Sequence, residues 1–405
     1  MNKKQLFLWC LYTASNSIVF INFLVYFSKW LVLDAGVSDF AYNMVFVATA
    51  LALLVTAPAL AAHNDKAGNR KKFLNVATLG VMASYLLAAI FAFLDASAPA
   101  LIFFLAGQYC YQLSFSFYDP MLNDIADEEH RAAASGLSQF ASSAGMVLGL
   151  AVTLPLAGIG RLWPLIPSVL LFAALAWPMM LYYKEPPRPK ASGAIAPKVR
   201  IGFDWKKFRN FILSSPAALV LISFFFYNDA LATITNNYPI YAGKVLDMSD
   251  ETTSIMLMTT MLAGSLGALI AGVLGDRLGV RKCLKIILWT WLVLIPVIAA
   301  ASSMTLFFAL AALLGLTIGA GWATSRAYIS LCLEKDDLGY GFSFYTIFER
   351  FSSIIGPLVW GGILAAGGGH RLAMLSMAGF IAAGIFVLNL TKSAGRYKVG
   401  VEENR

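Results

Sequence analysis

Apolar residues run along this chain in blocks of twenty or more, separated by short polar punctuation, and a helix of that length crosses a hydrocarbon core of about 30 Å. The blocks lie at 6–33, 40–62, 73–94, 99–122, 134–158 and 163–183 and, after a polar stretch, at 213–242, 251–275, 283–302, 304–332, 340–366 and 371–391. They predict an all-α polytopic membrane protein with twelve transmembrane helices. The first block follows Lys3 and Lys4 as a secretory leader would. Its apolar core is too long for a leader and no small-residue cleavage site interrupts it, so it is read as a retained span.

Composition narrows the class further. The chain is 59% hydrophobic and 13% charged, with mean hydropathy +0.71, whereas an ordinary soluble domain is about 25% charged. So few charges could not cover a water-soluble globule of 405 residues. The net charge of +8 is unevenly placed. With the N-terminus inside, twenty-four of the thirty Lys and Arg fall on the cytoplasmic side, and only Lys29, Arg161, Lys244 and Arg371 on the other. Both termini are therefore expected in the cytoplasm, and the basicity reflects topology rather than affinity for nucleic acid. A bacterial inner membrane is the expected location, and a monomer the expected state.

The stretch "KEPPRPKASGAIAPKVRIGFDWKKFRN" is rich in Pro, Ala, Gly and bases. It reads as a linker, giving a six-helix bundle at 1–183, a basic cytoplasmic linker at 184–212, a second bundle at 213–391 and a cytoplasmic tail at 392–405. Folding the chain about the linker superimposes "NDKAGNRK" (64–71) on "GDRLGVRK" (275–282), with Asp65 and Asp276 211 positions apart. Ser142 and Ser143 match Ser352 and Ser353, and Asp124 matches Glu334, each at an offset of 210. A common offset in matching spans argues for a duplicated six-helix unit. In each copy a Gly, Gly68 or Gly279, permits a tight turn. Arg70 and Arg281 then hold the loop on the cytoplasmic side, and the Asp at the end of the span is placed to latch one half to the other.

Twelve spans, a basic central linker and a doubled G-x-x-x-D-R-x-G-x-R-K element resemble the major facilitator superfamily. The second copy, Gly272, Asp276, Arg277, Gly279, Arg281 and Lys282, matches well; the first has Ala61, Lys66 and Asn69 where Gly, Arg and a base are usual. The resemblance implies alternating access around a cavity lined by spans 1, 4, 7 and 10. Within it, "FFFYNDALATI" (224–234), "TSRAYIS" (324–330) and "RFSSIIGPLVWGG" (350–362), with "WCLYTASNS" (9–17) and "RAAASGLSQF" (131–140), are similar to the autophagy-associated vacuole effluxer branch. That branch includes fungal exporters of amino acids. Thr13 stands where the branch implies an Asp, and Asp119 where it implies an Asn.

Ionisable groups inside spans are costly in lipid, about 2.5–3.5 kcal/mol each, so they mark interior sites. Asp229 lies near the middle of span 7, followed at helical spacing by Thr233 and Asn236, a face suited to a wet cavity. With no base at its own depth, Asp229 is the candidate to bind and release a proton. Gln108, Gln112 and Asp119 form a stripe on span 4, and Tyr12 and Asn16 share a face of span 1. Trp322 is a candidate cavity wall. Arg326 is expected to pair with Glu349 or Asp276, leaving Arg350 to face a different neighbour. Ser135, Ser138 and Ser142 in span 5, and Gly264, Gly267, Gly272 and Gly275 in span 8, read as small residues for close packing.

The four Cys lack metal-site spacing, and His63, His130 and His370 sit far apart in loops. No Gly-rich phosphate cradle follows a strand. No enzyme, metal or cofactor is expected. The expected function is secondary transport of a small polar or amphiphilic solute, such as an amino acid or related metabolite, coupled to protons. The alternatives are a proton-linked exporter of hydrophobic drugs and a non-transporting membrane sensor or lipid mover.

Overall fold

The apolar blocks form helices because a backbone in hydrocarbon must satisfy its own hydrogen bonds. The computed structural model describes residues 3–67, 69–127, 130–185, 216–332, 345, 348–349 and 351–391. Helix α1 runs over Lys3–Asn22 and continues through two wide π-helical turns, Phe23–Phe27 and Trp30–Asp34. It is followed by α2 (Asp39–Ala67), α3 (Arg70–Phe93), α4 (Ser97–Tyr118), α5 (Arg131–Ala157) and α6 (Leu165–Tyr182). The second set is α7 (Pro216–Leu246), α8 (Asp250–Leu278), α9 (Val280–Ala300), α10 (Met304–Cys332), α11 (Ile355–Ala365) and α12 (His370–Leu390).

Among the described residues, eleven helices are long and apolar enough to cross a membrane, and α11 is a shorter apolar helix. The expected span at 340–366 is thus present only from Ile355 onward as a regular helix. Ser352 to Ile354 interrupt it, and residues 340–344, 346–347 and 350 lie outside the described residues, Arg350 among them. Of the expected linker only Lys184 and Glu185 are described; the expected tail lies outside.

The helix pairings repeat. α1 packs on α5 and α6, and α7 packs on α11 and α12. α2 and α3 pack on α4 as α8 and α9 pack on α10, and α3 meets α6 as α9 meets α12. Between the halves α2 meets α11 and α8 meets α5, two contacts that exchange when the halves are exchanged. That is the pairing of a duplicated six-helix unit arranged about a pseudo-twofold axis. α1 and α7 are the most enclosed spans, at the junction of the halves. Large apolar side chains such as Val55, 74% exposed, and Leu269, 71% exposed, face outward as a lipid-facing surface requires.

Small residues set the closest approaches at Gly264 and Gly267, as expected, but not at Gly272, where an added methyl meets nothing within 4 Å, or at Gly275, where it meets only Val280 at 3.7 Å. A side chain on Gly319 of α10 would come within 1.9 Å of the Gly264 carbonyl oxygen on α8, and one on Gly267 within 1.8 Å of the Leu316 carbonyl oxygen. The obstacles are backbone, so neither helix can yield without separating. Gly319→Val is expected to cost about 1–3 kcal/mol or more and to lower the melting temperature of the purified protein. Gly379→Ala on α12, where an added methyl meets nothing within 4 Å, is the control expected to leave it unchanged.

Candidate functional site

The interruption before α11 is where the chemistry gathers. A broken span exposes backbone groups in the bilayer, and something must satisfy them. Asp229 of α7 does so from the side: its Oδ2 accepts a hydrogen bond from the Gly356 N–H at 2.9 Å, in the first turn of α11. A carboxylate there also suits the positive end of the helix dipole. Gly356 is required for this approach, since a side chain on it would lie 2.2 Å from Thr233 Oγ1 and 2.8 Å from Asp229 Oδ1. The Thr233 hydroxyl donates to the Asp229 carbonyl at 2.7 Å. Asp229 is fully buried, and its Oδ1 has no hydrogen-bond partner.

This corrects one expectation. Asp229 and Thr233 do share a face of α7, but that face is dry, because α11 lies across it. Asn236, one turn on, is 9% exposed, and its carbonyl accepts from the Tyr42 hydroxyl of α2 at 2.8 Å.

Beside this buried centre lies a group that is open. On α10, Trp322 is 37% exposed, and its indole N–H donates to Asn228 Oδ1 at 3.2 Å. Asn228 Nδ2 donates to Ser352 Oγ, and the Ser352 hydroxyl donates to the Glu349 carbonyl at 2.8 Å. One turn beyond Trp322, Arg326 faces Glu349 with Nη2 and Oε1 3.9 Å apart, the first of the two expected partners. Their side chains are 44% and 39% exposed. Arg326, Glu349 and Trp322 thus form a part-exposed polar group beside the enclosed α7.

The first half contributes less than expected. Tyr12 is fully buried, with its hydroxyl 2.7 Å from Thr78 Oγ1 and its ring stacked on Tyr118 at 5.3 Å. It braces α1 against α3 and α4. Asn16 is also fully buried; its Nδ2 donates to the Tyr12 carbonyl at 3.2 Å, and its Oδ1 lacks a partner. Gln108 is buried with Nε2 unpartnered, and Gln112 is half-buried.

A second polar cluster was not visible in the sequence. Between the two π-helical turns of α1, Lys29 is fully buried and points across to the other half. Its Nζ lies 2.7 Å from Asp250 Oδ1, 3.0 Å from the Met248 carbonyl and 3.2 Å from Thr253 Oγ1. Asp250 Oδ2 accepts from Arg161 Nε at 2.7 Å, and Arg161 Nη1 reaches Asp34 at 2.5 Å. Burial works against the Arg161 charge, but Asp250 and Asp34 outweigh it, and its pKa lies above the ordinary value. At the same end, Asn43 and Asn237 exchange side-chain amide hydrogen bonds at 3.0 and 2.9 Å. Tyr26 meets Ser254 at 2.9 Å, and His370 Nε2 lies 3.0 Å from Asp39 Oδ1. Among the described residues, these hydrogen bonds joining the halves lie at the end opposite the Arg70 and Arg281 turns.

The family model for the Major Facilitator Superfamily matches residues 8–259 and 220–403. The chain belongs to this superfamily. It is therefore a multi-pass membrane transporter by family, and not an enzyme. It is 26% identical to an uncharacterized MFS-type transporter, YxiO, of Bacillus subtilis (strain 168), over 99% of this chain and 98% of that one. Autophagy-related protein 22-2 of Aspergillus oryzae is 24% identical over 45% of this chain and 33% of its own length. Among solved structures, the nucleoside transporter NupG aligns with a TM-score of 0.65 at 14% identity, covering 96% of this chain and 99% of that one. A bacterial homologue of the human lysosomal transporter Spinster, inward-facing and unoccupied, aligns with a TM-score of 0.68 at 15% identity over 96% of both chains.

The superfamily's doubled motif has a describable role in this chain, largely within each half. Lys71 Nζ donates to the Leu181 and Tyr183 carbonyls at 2.9 and 2.8 Å, closing the end of α6. In the second copy it is Arg281, the counterpart of Arg70 and one position before that of Lys71, that donates to the Leu388 and Thr391 carbonyls, closing the end of α12. Arg70 lies 3.5 Å from Asp124, and the Arg70 and Lys71 N–H groups donate to Glu185 at 3.1 Å. Gly279 turns between α8 and α9 with φ +84°, as expected, while Gly272 and Arg277 are exposed. Gly68 lies outside the described residues, as do the side chains of Asp65 and Asp276, so the latch across the halves expected of each carboxylate lies outside the contacts described.

Proposed function

We propose that the chain is a secondary active transporter of a small polar or amphiphilic solute, such as an amino acid or related metabolite, working by alternating access with proton coupling through Asp229. The observation that carries this is the open, charged face of α10. Arg326 and Glu349 are part-exposed, and among the described residues the polar contacts named above that join the halves lie toward the Lys29–Asp250 end. Arg326 supplies donors for a carboxylate, Glu349 an acceptor for an ammonium, and Trp322 an apolar wall. Asp229 is buried one helix away, with one oxygen unpartnered, and is the group that takes up and releases a proton. In the orientation set by the basic loops, the joined end is outside, the termini are cytoplasmic and the open face is reached from the cytoplasm of a bacterial cell. The monomer is the working unit.

The test is a thermal-shift screen of purified protein against amino acids, nucleosides and lipophilic cations, followed by uptake into proteoliposomes with and without a pH gradient. Stabilisation by a polar solute that is also carried, faster with the gradient, is expected. Stabilisation by lipophilic cations alone would make the protein a drug exporter, and absence of any turnover would make it a sensor or lipid mover.

A further inference from the structure

Asn228 and Asp229 are neighbours in α7, and they hold the two sides of the interruption before α11. Asn228 binds Ser352, the first of the irregular residues, and Asp229 binds Gly356, after the last of them. We propose that Asn228 is a positioning residue that ties Trp322, on the open face, to the broken span, so that solute contact and proton binding act on one segment. The proton part of this rests on the reading of Asp229 given above.

The chemistry of an amide makes it suited to the task. Asn228 accepts through Oδ1 from the Trp322 indole at 3.2 Å while donating through Nδ2 to Ser352 Oγ. An ionised carboxylate could only accept, and an ammonium only donate. Ser352 passes its own hydrogen on to the Glu349 carbonyl at 2.8 Å, and Glu349 carries the carboxylate opposite Arg326. A donor-to-acceptor chain therefore runs from an indole that is 37% exposed, through a nearly buried amide and a buried hydroxyl, to the backbone of a residue on the open face. A solute that displaces the indole withdraws the hydrogen bond on Oδ1. In low-dielectric surroundings the loss is felt along the chain. The interruption can respond because its residues, Ser352 to Ile354, have no continuous helix to hold them.

The experiment needs no solute. Hydrogen–deuterium exchange by mass spectrometry is followed in the peptide covering 351–361 for the full-length protein in micelles. Trp322→Phe, Asn228→Leu and Ser352→Ala are each expected to raise exchange there by on the order of tenfold, the loss of one buried hydrogen bond. The double variant Trp322→Phe with Asn228→Leu should exceed Asn228→Leu alone by little, because both cut the same chain. Asn228→Gln, which keeps the amide, should restore part of the protection, and Trp289→Phe, a 54% exposed indole on α9, should change nothing at 351–361. Additive effects, or a Trp322→Phe variant with wild-type exchange, would overturn the proposal. Should Asn228→Leu not fold, Ser352→Ala against Trp322→Phe gives the same cycle. If instead the cycle holds but Asp229→Asn leaves proton-driven transport intact, the tie between Trp322 and the broken span stands and the proton reading fails.

Discussion

Asp229→Asn is expected to abolish proton-driven accumulation in proteoliposomes, a fall on the order of a hundredfold, while solute-for-solute exchange stays within about threefold of wild type. The separation follows from geometry. Asn keeps a carbonyl oxygen where Oδ2 accepts from the Gly356 N–H, so the start of α11 stays capped. Its amide N–H₂ takes the place of Oδ1, which holds no hydrogen bond, so the exchange removes none. Shape and hydrogen bonding survive, and only the capacity to gain and lose a proton goes. Asp229→Leu makes the opposite case: it leaves a buried N–H unpaired, at a cost of about 1–3 kcal/mol, and should impair exchange and accumulation together. Gradient-driven accumulation that persists in Asp229→Asn would remove Asp229 from the coupling path.

Much of this architecture is legible in the residues. Block length predicts the spans to within a few positions, as in the expected 6–33 against α1 and its π turns at Lys3–Asp34. The repeated motif predicts the duplication, and the helix pairings agree with it. The failures have one cause: hydropathy is a property of a segment, whereas a site is a property of pairs. Block 340–366 is apolar almost throughout, so a period-based reading carries one helix through it. Pro357, in the first turn of α11, was the available signal, because Pro is favoured at a helix start and disfavoured in its interior. Asn228 was passed over beside Asp229 for lack of charge, although its two hydrogen bonds fix the other side of the interruption. The dry face of Asp229 was equally invisible, because only α11 shows what Gly356 allows to approach. The charge rule places Lys29 at an outer end of span 1 and says nothing of what it meets there. Its partner Asp250 lies in the other half, where no local rule connects them.

That pair yields the second large effect. Asp250 stands between Lys29 and Arg161, and among the described residues it is the acid that the second half brings to a cluster whose other charges, Lys29, Arg161 and Asp34, belong to the first. Asp250→Asn strips the countercharge from a Lys29 ammonium that is fully buried, the circumstance in which breaking a pair costs about 3–5 kcal/mol. The cost applies while this end is shut, since parting the halves lets water reach Lys29. The closed arrangement should therefore lose population against the open one by about two to four powers of ten. Lys29→Met should do less, because Asp250 keeps Arg161 at 2.7 Å. Lys29→Met combined with Asp250→Asn should recover most of the closure, having removed the stranded charge along with its partner. Spin labels at Ile159→Cys and Lys244→Cys, one on each half at this end, report the distance. A longer distance in Asp250→Asn, a near wild-type one in the double variant and an intermediate one in Lys29→Met is the expected order. Equal distances in all four proteins would show that the amide exchange of Asn43 with Asn237 and the Tyr26, Tyr42 and His370 contacts hold this end shut without help from charge.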